Sequence, residues 1–186
     1  MARTPSNMIP LGSPAPNFTL QDTVSGEKLS LNSQKGTNGT LIVFICNHCP
    51  FVKHINQELS QLAKDYKSKG INTIAISSND VDNYPDDAPD KMKLNAIEQE
   101  FIFPYLYDDT QEVAKAYNAA CTPDFYVFDK DLKLAYRGQL DDSRPGNDIP
   151  VTGEDIRHAL NCLLDNKVNT KPQKPSIGCN IKWKPA

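Results

Sequence analysis

The sequence predicts an α/β fold: a central mixed sheet with helices on both faces and a β-hairpin in front of it. Three observations carry that expectation. Leu41-Ile42-Val43-Phe44-Ile45 is an unbroken apolar run rich in β-branched residues, which reads as a strand buried on both sides. Val52, Ile55, Leu59, Leu62, Ala63 and Tyr66 then recur at helical spacing between Lys53, Glu58, Gln61, Lys64 and Lys67, as in an amphipathic helix. Ile71-Asn72-Thr73-Ile74-Ala75-Ile76 follows Gly70 as a second buried strand, and strand, helix, strand in that order makes a right-handed parallel crossover.

The remaining elements follow in chain order. Residues 1–11 are polar, carry Pro5 and Pro10, and read as a loose lead-in. Ala15 to Leu20 and Lys28 to Leu31 alternate apolar with polar around Ser25-Gly26, a short hairpin. The Pro-interrupted stretch from Asn79 to Asp90 holds Asp80, Asp82, Asp86, Asp87 and Asp90. It lacks the alternation and glycine of a calcium loop, so it reads as a solvated loop leading into a helix N-cap. That helix runs from Pro89 to about Glu100 with Met92, Ala96 and Ile97 as its apolar face. Phe103 to Tyr107 is a short segment, Thr110 caps a helix through Val113, Ala114 and Tyr117, and Cys121 to Asp129 leads into another strand. Lys130-Asp131 turns it back antiparallel through Leu132 to Arg137. Thr152, with Asp155 three residues on, starts a last helix through Ile156, Ala159, Leu160, Leu163 and Leu164. The domain is therefore expected over 12–165, with 166–186 an extended, Pro-rich tail docked through Ile177 and Trp183.

Size and charge narrow the function. The chain has 186 residues, 39% of them hydrophobic, enough for one core. A net charge of −3 with both signs interspersed gives no footprint for nucleic acid, and the apolar runs fall far short of a membrane span. The first ten residues lack the apolar centre of a signal peptide, so the expected location is cytoplasmic. In a reducing compartment five irregularly spaced cysteines do not read as a disulfide scaffold, and a close pair reads as catalytic or metal-binding.

The close pair is Cys46-Asn47-His48-Cys49, set between the buried strand and the helix that Pro50 begins. First-turn N–H groups lack carbonyl partners and place partial positive charge beside these sulfurs. A helix start can lower a cysteine pKa from about 8.5 into a range of about 3.5–7.5, and the thiolate is the reactive form. The spacing lets one sulfur resolve a mixed disulfide formed at the other. His48 reads as a second stabiliser of the thiolate, against the plainer reading of a polar spacer. A structural zinc site wants four ligands, usually two close pairs, and the chain has no second pair, so no metal is expected.

These residues give the chain a family likeness. The strand, the Cys46-Asn47-His48-Cys49-Pro50 turn, the helix and the later Thr122-Pro123-strand element resemble the thioredoxin-like fold. With the Pro-Ala-Pro-Asn-Phe-Thr-Leu phrase at 14–20, they resemble its AhpC/TSA (redoxin) branch, related to peroxiredoxins and cytochrome-maturation thioredoxins, from about Gly12 to Leu164. The resemblance implies that Cys46 and Cys49 are the catalytic pair and that Thr122 and a cis Pro123 face them and contact substrate. It implies no bound cofactor. Ile45 stands where thioredoxin has a tryptophan, and His54 where it has a helix proline.

Further residues have two readings each. Arg137 reads as the late-strand arginine that peroxiredoxins set near their thiolate. Cys121 is either a small packed side chain or a neighbour of the active turn. Cys179 is either an anchor for the tail or a third redox thiol. His54 and His158 read as helix-surface residues, and Cys162 as a partly buried structural thiol. The expected function is thiol–disulfide exchange with protein or small-molecule disulfides, recycled by a thiol reductase, with Cys46 attacking and Cys49 resolving. The first alternative is a thiol peroxidase acting on peroxide with Cys49 as the peroxidatic residue, although Ile42 and Cys46 replace the proline and threonine of the peroxiredoxin Pro-x-x-x-Thr-x-x-Cys motif. The second is a non-catalytic, redox-responsive binding module. No nucleic-acid or membrane partner is expected.

Overall fold

The computed structural model describes residues 3–185. A seven-stranded sheet runs through it. Its central strand is β4 (Gly39–Phe44), which pairs in parallel with β5 (Ile71–Ser77) and antiparallel with β8 (Asp124–Asp129). Beyond β5 come β6 (Tyr105–Tyr107), β2 (Thr19–Asp22) and β3 (Lys28–Ser30), and beyond β8 comes β9 (Leu134–Gly138). The predicted crossover, the N-terminal hairpin and the late antiparallel return are all present. A second sheet of three short strands, β1 (Arg3–Pro5), β10 (Ile177–Asn180) and β7 (Cys121–Thr122), lies at the sulfur end of the molecule.

β4 is buried at every position because both faces of the sheet are covered. Successive side chains point to opposite faces. Leu41 and Val43 pack with α2 (Pro50–Lys67), α3 (Pro89–Glu98) and α5 (Glu154–Leu164), through Leu59, Met92 and Leu160 among others. Ile42 and Phe44 pack on the other side with α1 (Leu31–Gln34) and α4 (Glu112–Ala116), through Leu31 and Ala114. Each large apolar side chain withdrawn from water on these faces contributes about 1.5–3 kcal/mol.

Several local expectations change. The lead-in is not loose: β1 pairs antiparallel with β10, and Ser6 N–H donates to the Ser176 carbonyl at 2.8 Å. Neither Thr110 nor Thr152 caps a helix. Gln111 and Gly153 take those positions with φ of 63° and 66° and make no side-chain cap themselves, and at the start of α4 the Asp108 carboxylate accepts from the Val113 and Ala114 N–H groups. Ile97 leaves the apolar face of α3 for solvent at 60% exposure, whereas Met92 and Ala96 are buried. The tail is held by Cys179 and Ile181, both buried, rather than by Ile177 and Trp183, which are partly exposed. The acidic stretch is not solvated throughout: Asp80 and Asp87 are buried. α3 is capped by neither of them, since its N-cap is Ala88.

Among the described residues, Arg137 is the largest fully buried side chain. On β9, opposite Tyr126, its guanidinium forms a bidentate pair with Asp124, donates to the Phe125 carbonyl at 3.0 Å and lies 3.9 Å over the Tyr126 ring. None of these contacts is with a cysteine sulfur, which corrects the placement of Arg137 beside the thiolate. Its work is to tie β8 to β9. Replacing one member leaves the other charged and buried without compensation, so Asp124→Ala should destabilise the fold by about 3–5 kcal/mol in chemical denaturation.

Candidate active site

The site forms where β4 runs out. Ile45 N–H still bonds the Ile76 carbonyl at 2.9 Å, and the chain then leaves the sheet at Cys46. Pro50 occupies the first turn of α2, and Cys49 is its N-cap residue. Opposite lies β7, where the Thr122–Pro123 peptide is cis, as the resemblance implied. Cys46 Sγ lies 3.3 Å from Thr122 Oγ1, and Cys49 Sγ lies 3.2 Å from the Thr122 carbonyl. So Cys46, Cys49, Thr122 and Pro123 come together.

Asp87 organises the turn between the cysteines. Its Oδ1 accepts from the Asn47 and His48 N–H groups at 2.8 and 3.2 Å. Its Oδ2 meets His48 Nδ1 at 2.6 Å and accepts from Asn79 Nδ2 at 2.7 Å. Asn47 Nδ2 also reaches the Asp86 carbonyl, and Tyr84 stacks on the His48 ring. Sequence reasoning missed Asp87. A signal existed: β4 and β5 are parallel neighbours, so the loop leaving β5 must start beside the turn leaving β4.

His48 is thereby turned toward a carboxylate. The Asp87 hydrogen bond and charge raise its pKa against the opposing effect of burial. Burial alone would push the Asp87 carboxyl up, but the bonds from His48, Asn79 and the Asn47 N–H outweigh it and hold the group below its ordinary range. The imidazolium therefore compensates Asp87 first, and its effect on the sulfurs is reduced accordingly. Cys46 Sγ and ligand atoms of His48 and Asp87 lie within 4.8 Å of one another. The hydrogen bonds already taken up by both Asp87 oxygens mark this cluster as a structural clamp.

The two cysteines of the turn are shifted in opposite directions. Cys46 is held protonated: it donates to Cys49, it is buried, and Asp87 repels its anion. Cys49 is pulled down to about 5 by the Cys46 thiol, helped by Cys179 and by the Val52 N–H of the first helical turn, against burial. The Thr122 carbonyl accepts from Cys49 and favours its protonated form. Of the pair, Cys49 is the one shifted toward the thiolate.

A sulfur from the tail completes the site. Cys179 Sγ lies 2.8 Å from Cys49 Sγ. Burial and the contact with Cys49 push its own pKa up to about 12. Cys46, Cys49 and Cys179 are 1%, 0% and 2% exposed. The hydrogen bonds of the other candidates go elsewhere than to these three sulfurs. Cys121 is buried with Sγ 3.6 Å from the Pro123 carbonyl and its pKa raised by burial, a packed side chain. His54 Nε2 meets Ser143 Oγ at 2.7 Å, and His158 Nε2 lies 3.5 Å from Cys162 Sγ on α5.

Residues 11–137 match the model of the AhpC/TSA family. The chain belongs to that family. Over 132 residues, 70% of each chain, it is 28% identical to "Thiol-disulfide oxidoreductase ResA" of Bacillus thuringiensis subsp. konkukian. A crystal structure of an uncharacterized conserved protein from Geobacillus kaustophilus matches with a TM-score of 0.98 and 59% identity, covering all of this chain and 98% of that one. The thioredoxin domain of a thiol-disulfide oxidoreductase from Bacteroides vulgatus matches with a TM-score of 0.58 and 23% identity, covering 70% of this chain and 91% of that one. The fold is thioredoxin-like, as the sequence resemblance implied.

Two titrations test the electrostatics. The ultraviolet absorbance of thiolate should show one group titrating near pH 5 that disappears in Cys49→Ser and persists in Cys46→Ser, shifted upward by loss of the thiol donor. The His48–Asp87 pair should also set a pH window for stability. The raised His48 pKa contributes fully below its unfolded value of about 6.5 and is lost as pH rises through the folded value. The lowered Asp87 pKa contributes above its unfolded value of about 3.9 and is lost as pH falls through the folded value. In Asp87→Asn the His48 ring, followed by NMR, should titrate at lower pH than in the wild type, and both limbs of the window should flatten.

Proposed function

We propose that this protein is a thiol–disulfide oxidoreductase that works through Cys49 and Cys46. The observation that carries this reading is a Cys-x-x-Cys pair at a helix N-terminus, both of its sulfurs within 3.3 Å of Thr122 in a cis Thr122–Pro123 peptide, with Cys49 shifted toward the thiolate. The name of the Bacillus relatives supports it.

The cycle conserves two electrons. The Cys49 thiolate attacks one sulfur of a substrate disulfide, that bond breaks, and the departing thiolate takes a proton. Cys46 then gives up its proton and attacks Cys49 Sγ, releasing the second substrate thiol and leaving a Cys46–Cys49 disulfide. A thiol reductase returns the dithiol. The substrates on this reading are protein or small-molecule disulfides, Thr122 and Pro123 are the backbone they meet, and the setting is a reducing one, the cytoplasm. Asp87, with His48 and Asn79, positions the turn so that the two sulfurs stay in contact.

A second reading has one observation in its favour. With all three cysteines at most 2% exposed, a small oxidant reaches Cys49 more easily than a folded protein does. That is the thiol peroxidase, in which Cys49 becomes a sulfenic acid and Cys46 condenses with it. Ile42 and Cys46, in place of proline and threonine, speak against it.

Turnover of insulin disulfides with dithiothreitol and of hydrogen peroxide with a recycling reductase, measured on one preparation, separates the readings. Insulin reduction should be accelerated by the wild type and fall to the protein-free rate in Cys49→Ser. Efficient peroxide consumption without insulin reduction, with sulfenic acid trapped at Cys49 in Cys46→Ser, would replace the disulfide reading with the peroxidase one.

A further inference from the structure

We propose that Cys179 is a third redox thiol that exchanges with the Cys46–Cys49 pair, carried on a C-terminal strand seated where a substrate chain would lie. The inference rests on the oxidoreductase reading for the origin of the Cys46–Cys49 disulfide, and on geometry for the rest.

β10 pairs antiparallel with β7 in the register Cys179 to Thr122 and Asn180 to Cys121. Thr122 precedes the cis proline, and β10 therefore lies along the one backbone edge facing the cysteines. The seat is close. A Cβ at Gly178 would come within 2.0 Å of the Thr122 carbonyl oxygen, so this position admits only glycine without displacing the strand. The strand is fastened on both sides of the sulfur. Upstream, Ser176 Oγ donates to the Pro123 carbonyl at 2.7 Å. Downstream, Lys182 N–H donates to Asn79 Oδ1 at 2.8 Å, and Asp80 N–H and Gln111 Nε2 donate to the Lys182 carbonyl. Asn79 is also a donor to Asp87, so the tail and the active turn share one buried residue.

Cys49 stands between two thiols. Cys46 is its partner within the turn, and Cys179 Sγ lies 2.8 Å away on the tail. Closing that gap to a bond of about 2.05 Å needs only a small movement of side chains. Starting from the Cys46–Cys49 disulfide, Cys179 loses its proton and attacks Cys49 Sγ. The Cys46–Cys49 bond breaks, its electron pair leaves on Cys46, and Cys46 takes a proton. One disulfide replaces another, with no net oxidation. The product staples β10 to the start of α2 and frees Cys46. A seated β10 keeps bulky disulfides from the buried pair, and the bridge prolongs that closure. Reduction of the bridge returns the strand to hydrogen bonds alone.

The test uses the full chain, oxidised with diamide, alkylated, digested and mapped by mass spectrometry. The wild type should yield both Cys46–Cys49 and Cys49–Cys179 bridged peptides. Cys46→Ser should yield Cys49–Cys179 within one molecule, and proteolysis of its tail should slow by about tenfold or more on oxidation, reversibly with dithiothreitol. Gly178→Ala in the Cys46→Ser background should lower the yield of that bridge at least several-fold, since it lifts β10 without touching a sulfur. A Cys179 that stays alkylatable in oxidised Cys46→Ser overturns the proposal, as does a wild type with only the Cys46–Cys49 bridge. Insulin turnover on the same preparation tells the two readings apart. A Cys49–Cys179 bridge without turnover removes the oxidoreductase reading alone, and turnover without the bridge removes the Cys179 proposal alone.

Discussion

The fully buried carboxylate of Asp87 accepts two backbone N–H groups from the Cys-x-x-Cys turn and one side-chain amide, and pairs with the His48 ring. A buried carboxylate is costly unless its oxygens are satisfied and its charge is matched. Here both conditions are met by the residues that must be held still: Asn47 and His48 are the two between the cysteines. The loop after β5 thus specifies the conformation of the loop after β4. Asn79, at the start of that loop, extends the same set of bonds to the tail through Lys182. Turn, acidic loop and C-terminal strand are one hydrogen-bonded unit, and the sulfurs sit at its centre.

That unit shifts the two cysteines in opposite directions. Both cysteines are buried, so burial alone does not discriminate between them. Asp87 stands close enough to Cys46 to oppose its ionisation, whereas Cys49 is the N-cap residue and takes the Val52 N–H. A thiolate flanked by two thiol donors is stabilised by both, and each donor is made less acidic in turn. The nominal thiolate tuner, His48, acts mainly at one remove, by neutralising the carboxylate beside Cys46.

The same compactness constrains access. A sheet covered on both faces leaves the strand ends as the place for chemistry, and β1, β10 and β7 form a small sheet across that place. Its strands are two to four residues long and depend on side-chain fastenings such as Ser176 and Lys182. Short strands of this kind open at lower free-energy cost than the central strands beneath them.

The sequence by itself determined the central sheet, the crossover helix and the Cys46–Cys49 turn, because each is written in local pattern. An unbroken apolar run makes β4, a 3.6-residue stripe makes α2, and a proline marks where one gives way to the other. The resemblance added the cis Thr122–Pro123 peptide, whose isomer no local pattern encodes. Tertiary structure alone decided what depends on residues far apart in the chain. Asp87 is 40 residues from Asn47 and Cys179 is 130 from Cys49, and neither partner carries a local mark of the other. Arg137 went to Asp124 rather than to a thiolate because the β8–β9 register aims it at its own hairpin. Thr152 and Thr110 had the composition of helix caps, but tertiary packing put residues with positive φ at those helix starts. Patterning reports which side of an element faces inward; only the folded arrangement reports what it meets there.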